Sequence, residues 1–88
     1  MQAITVVETD IYKAGAARLL TENEQEGIRG FVAGLPEAGD VIPGLDGLRK
    51  MRWTQQQRNK GKRGGTRIVY FWATLDQIIV LLSCVFER

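Results

Sequence analysis

Hydrophobic and polar positions alternate in this chain in two registers, and the change of register marks its elements. Residues 3–8 (AITVVE) are short and β-branched, which predicts a first strand. Thr9 or Asp10 can then cap a helix through IYKAGAARLL. Thr21 with Glu24 three residues on has the spacing of a capping box, and Ile28, Phe31, Val32 and Leu35 supply an apolar stripe at helical spacing, so a second helix is predicted up to Pro36. The stretch PEAGDVIPGLDG is full of turn formers and reads as a connector. Period two then takes over: strands are predicted at 48–53 and 66–73, joined by the loop QQQRNKGKRGG, and after the turn TLDQ the apolar run 78–86 predicts a last strand lying inside the sheet. The order β-α-α-β-β-β defines an α+β class, with two helices packed on one face of a mostly antiparallel sheet and residues 1–88 forming one domain.

The same periodicity assigns faces. Met51 and Trp53 point one way with Arg49, while Lys50 and Arg52 point the other; Ile68, Tyr70 and Trp72 share a face opposite Arg67, Val69 and Phe71. If the bulky faces pack on the helices, Lys50, Arg52 and Arg67 converge on an open face. Strand aromatics usually pack in cores rather than stack on bases, and Phe71 is the exception to watch because it shares a face with Arg67.

Charge sharpens this picture. Residues 47–75 hold eight bases (Arg49, Lys50, Arg52, Arg58, Lys60, Lys62, Arg63, Arg67) and no acid, whereas residues 1–46 hold eight acids and three bases. The net charge of +2 therefore conceals a strong asymmetry, and a one-sign block of this density attracts phosphate, with nucleic acid as the first partner to consider. Lys50 and Arg52 also have a plainer reading, as charges that solubilise an open sheet face. The glycines of the basic loop do not follow the G-x-x-x-x-G-K-[ST] order of a nucleotide-binding P-loop.

Other chemistry is narrowed by what the sequence lacks. It contains no histidine, the commonest metal ligand and a usual acid–base group, so neither a metal site nor a cofactor is expected. The single cysteine, Cys84, lies in the apolar run IIVLLSCVF and reads as a buried thiol. No segment reaches the length of a membrane span and the first residues do not resemble a signal peptide, so a soluble protein of the reducing cytoplasm, without membrane partners, is expected.

The run DVIPGLDGLRKMRW, followed by KGKRGGTRIVYFW and an apolar last strand, resembles the RelE/ParE superfamily of bacterial type II toxins, and within it the HigB-like branch. The likeness extends from about Glu8 to Val85. It implies a metal-independent endoribonuclease that cuts messenger RNA on the ribosome and is held inactive by a cognate antitoxin, here a HigA-like helix-turn-helix protein. ParE relatives poison gyrase instead, and the basic sheet favours the RNA-cleaving branch. The implied chemistry is attack of the substrate's own 2′-hydroxyl on the adjacent phosphate, with cationic side chains neutralising the phosphorane. By the resemblance, Lys50, Arg52, Arg67 and Arg88 are the catalytic candidates: Arg67 as a phosphate clamp, and Lys50 ahead of Arg52 for proton transfer, because a guanidinium does not give up its proton near neutrality. Arg49, Arg58, Lys60, Lys62, Arg63 and Phe71 are the candidate RNA contacts.

The resemblance also has a gap. Family members carry an aromatic and then a basic group at the end of the last strand and continue into a C-terminal helix; this chain reads CVFER, with Val85 in the usual tyrosine's place and Glu87 in that of a lysine, and no such helix follows. A degenerate or truncated toxin that binds antitoxin or RNA without cutting is the alternative expectation. An uncovered last strand further predicts that the chain hides apolar surface by binding an antitoxin or by forming a homo-oligomer.

Overall fold

Thr9 begins the first helix as the sequence suggests. Its side-chain oxygen accepts from the Tyr12 N–H, and its hydroxyl donates to the Leu82 carbonyl at 3.0 Å, so the cap also ties helix to sheet. In this computed structural model, which describes residues 3–54 and 65–87, the elements are β1 (Thr5–Glu8), α1 (Asp10–Leu19), α2 (Glu22–Gly34), β2 (Asp40–Val41), β3 (Leu48–Trp53), β4 (Gly65–Ala73) and β5 (Ile78–Glu87). Thr21 and Glu24 form the complete capping box of α2, each side chain accepting from the other's backbone N–H. The helix stops at Gly34, before Pro36, which has no N–H to continue it.

The five strands form one sheet in the order β1-β5-β4-β3-β2. The β1–β5 pair is parallel, and the other three pairs are antiparallel. β5 is thus an internal strand, which is why it is the most continuously apolar segment. A register shift between Val69 and Tyr70 locally disturbs the β4–β5 ladder. β2 is an addition to the sequence reading: Asp40 and Val41 pair with Lys50 and Arg49 inside a stretch whose turn composition predicts only a connector.

The core lies between the helices and one sheet face, made of Tyr12, Ala16, Leu20, Ile28, Val32, Ile68, Tyr70, Ile79, Leu81 and Cys84, with Met51, Trp53 and Trp72 packed against it. Each of its larger aliphatic side chains contributes roughly 1.5–3 kcal/mol by leaving water. The stripe of α2 is narrower than its spacing predicts. Ile28 and Val32 are fully buried, but Phe31 and Leu35 are 39% and 57% exposed. Phe31 instead meets the edge of Trp53, their ring centroids 6.0 Å apart.

Tyr70 locks the connection between α2 and β2. Its hydroxyl accepts from the Gly39 N–H and donates to the Pro36 carbonyl, both at 2.8 Å. A Cβ on Gly39 would stand 2.8 Å from that hydroxyl and 2.9 Å from the Lys50 carbonyl, so only glycine lets the chain pass this close to β3 and β4. Burial of Cys84 pushes its thiol pKa up to about 11, the behaviour of a core thiol rather than a nucleophile.

Candidate nucleic-acid interface

Cross-strand register builds the site. Residues opposite one another share a face, so Lys50 lines up with Asp40 and Val69, Arg52 with Arg67, and Arg67 with Val85. All of these lie on the face away from the helices. Lys50 and Arg52 are exposed and Arg67 half-buried, as the alternation in β3 and β4 predicts. Phe71, opposite Leu48 and Val80, is on the same face but toward its other end. The open face therefore grades from an apolar end at Leu48, Phe71 and Val80 to an ionic end at Lys50, Arg52 and Arg67.

The ionic end holds a further residue. Glu87 pairs with Gly65, which has no side chain to fill the space, and its carboxylate reaches diagonally to β4 to accept a hydrogen bond from the Arg67 guanidinium. That hydrogen bond, with the positive charges of Arg67, Arg52 and Lys50, holds the Glu87 carboxyl below its usual pKa, against a smaller opposing effect of burial. A groove of about 140 Å³ is lined by Asp40, Lys50, Met51, Arg52, Arg67 and Glu87, three cations against two carboxylates. Beside it a larger hollow of about 460 Å³ opens along the outer edge of β3, where β2 is only two residues long and leaves the strand uncovered beyond Lys50. Its floor includes Phe31 and Trp53, and Lys50 and Arg52 line it as well as the groove.

Of the sequence-predicted residues, Lys50, Arg52 and Arg67 come together. Arg49 stands apart on the helix side, its guanidinium donating to the carbonyls of Gly39 at 2.8 Å and Glu37 at 3.3 Å, where it braces the connection leading into β2. Arg58, Lys60, Lys62, Arg63 and Arg88 lie outside the described residues. Asp40 and Glu87 were not among the sequence candidates. Period two would have placed Glu87 with Val85 on the open face, but its reach to Arg67 depends on the β4–β5 register. Among the described residues there is no group of three or more His, Cys, Asp or Glu side chains able to hold a metal ion, and no helix is long and apolar enough to cross a membrane.

Two helices on one face of a five-stranded, mostly antiparallel sheet form a RelE-like fold. Two solved structures of a mutant E. coli toxin RelE share it. The free form superposes with a TM-score of 0.66 at 17% sequence identity, covering 96% of this chain and 83% of that one. The form in complex with a peptide of the antitoxin RelBc gives 0.64 at 13% identity, covering 99% and 85%. No family model matches the sequence.

Proposed function

We propose that this protein is the toxin of a type II toxin–antitoxin pair, a metal-independent endoribonuclease that cuts messenger RNA on the ribosome. The observation that carries this reading is the pairing of Arg52 directly opposite Arg67, with Lys50 two residues along β3 on the same open face. Like charges opposite one another destabilise a sheet, so such a cluster is costly to the fold and is relieved by an anionic ligand. A phosphodiester in the groove would meet two guanidiniums able to grip its oxygens in pairs, and a lysine ammonium beside them. These groups would stabilise the additional charge of a phosphorane formed by 2′-hydroxyl attack, which requires no metal. Phe71 offers a stacking surface farther along the same face for a neighbouring base. The antitoxin peptide bound to the RelE neighbour supports an antitoxin as the second partner.

The Arg67–Glu87 ion pair favours a second reading, in which the groove carries its own counter-ion and the protein binds antitoxin or RNA without cutting. Inducible expression in a bacterium decides between them. Growth arrest accompanied by cleavage of a translated reporter transcript is expected. Full growth with the protein present in the soluble fraction would select the non-cleaving reading.

A further inference from the structure

The ionic groove contains two carboxylates that a pure phosphate-binding surface would not include. Asp40 lies opposite Lys50 on the short edge strand, while Glu87 is bonded to Arg67 itself. An RNA 2′-hydroxyl attacks the phosphate next to it, so whatever takes its proton must sit within one hydrogen bond of the group that grips that phosphate. Histidine is absent from the chain, and a lysine ammonium must first lose a proton before it can accept one. Among the described groove residues, Glu87 alone is both ionised and in contact with Arg67.

We infer that Glu87 is the general base of the RNA-cleaving reaction, taking the proton of the attacking 2′-hydroxyl while Arg67 holds the scissile phosphate. This inference rests on the RNA-cleaving reading above. The carboxylate bonds Arg67 through Oε2, which leaves Oε1 to face the hydroxyl. The 2′-hydroxyl proton passes to Glu87, the freed oxygen forms a bond to phosphorus, and the bond from phosphorus to O5′ breaks. O5′ leaves with a proton from the Lys50 ammonium. The products are a 2′,3′-cyclic phosphate and a free 5′-hydroxyl. Glu87 then gives its proton to water and Lys50 takes one back, so nothing is consumed.

Charge in the groove supports the assignment. Among the described residues the groups facing Glu87 are Arg67 on β4, Arg52 and Lys50 on β3, and Asp40 on β2, so with Glu87 ionised these groups together carry one positive charge, matched to a phosphodiester monoanion. Once Glu87 is protonated the surplus is two, matched to the phosphorane dianion that forms in the same step. The bound phosphate also takes a share of Arg67 and adds a negative neighbour, both of which raise the affinity of Glu87 for a proton when it is needed. An ionised carboxylate at rest and a better base in the complex is the behaviour the step requires.

The test is single-turnover cleavage of a defined messenger on programmed ribosomes as a function of pH, with the full chain and its Glu87→Gln and Glu87→Asp variants. Glu87→Gln should slow cleavage by about a hundredfold or more and remove the rise of rate with pH on the acid side. Binding of the same complexes carrying a 2′-deoxy substitution at the scissile nucleotide should not weaken, since Glu87→Gln removes a negative charge beside Arg67. Glu87→Asp should keep the acid limb at a reduced rate. Cleavage by Glu87→Gln at the wild-type rate or faster would overturn the inference, making Glu87 only a counter-ion; so would a slowed variant that retains the acid limb, which marks a structural role. Failure of the wild-type chain to cleave at all would instead remove the RNA-cleaving reading, and the inference with it.

Discussion

Gly15 in α1 and Cys84 in β5 touch backbone to backbone: a β-carbon on Gly15 would lie 2.1 Å from the Cys84 carbonyl oxygen. No side-chain rotation relieves such a contact, so α1 would have to lift from the sheet. Gly15→Ala should therefore destabilise the domain by about 1–3 kcal/mol or more, despite alanine's better helix propensity. Denaturant unfolding of the two proteins measures it; an unchanged or higher midpoint would mean that α1 does not sit against β5 as described.

Two buried tyrosines make a contrasting pair. Tyr70 donates one hydrogen bond and accepts another, and Tyr70→Phe would strand the buried Gly39 N–H, at a cost of roughly 1–3 kcal/mol. Tyr12 is equally buried, but its hydroxyl has no hydrogen-bond partner among the described residues, and burial, aided by the nearby Cys84 and Glu8, pushes its pKa strongly upward. Tyr12→Phe should be neutral or stabilising. Thermal melts of both variants check the contrast, with Tyr70→Phe expected to melt well below Tyr12→Phe.

Arg67→Ala should abolish RNA cleavage and leave the melting transition nearly unchanged, because Arg67 is partly exposed on the face away from the core. Lys50→Ala and Arg52→Ala should each slow cleavage at least tenfold, about 1.4 kcal/mol of transition-state stabilisation. The three line one groove, so their effects should not add. Single-turnover rates on ribosomes, with melting followed in parallel, are the measurement.

Stability should also respond to acid through Glu87. Its carboxyl has a depressed pKa in the folded state, so the stabilisation it contributes is complete above the ordinary carboxylate pKa and is lost as pH falls through that range and below. In Glu87→Gln this part of the acid dependence should vanish, and the pH–stability curves of the two proteins should converge at low pH. Because the pair is partly exposed, the difference should be small and should shrink with added salt.

Local rules carried far in this chain. The two threonine caps, the α2 capping box and the alternation in β3 and β4 are set by neighbours within four residues, and the open-face cluster of Lys50, Arg52 and Arg67 follows from that alternation alone. What the sequence hid depends on partners distant in the chain. β2 is a strand only because β3 lies beside it, and its turn-rich composition gives no sign of this. Phe31 and Leu35 have helical spacing with Ile28 and Val32, but how much of a stripe is covered is decided by which distant residues pack against it. Glu87 looks like a stray acid after an apolar run; its place beside Arg67 follows from the pairing of Gly65 with Glu87, a register no short window contains.

The parallel pairing of Thr5 with Ile78 and of Glu8 with Leu81 leaves β1 without a strand partner until β5 has been made. A nascent chain can wind its two helices early, but they have no sheet to cover while β5 is still inside the ribosome. Assembly of the ionic groove is similarly delayed, since Glu87 joins β4 only at the end of β5. The order of synthesis thus acts as a timer: the groove stays incomplete until the end of β5 has been made, and its completion coincides with the closing of the sheet.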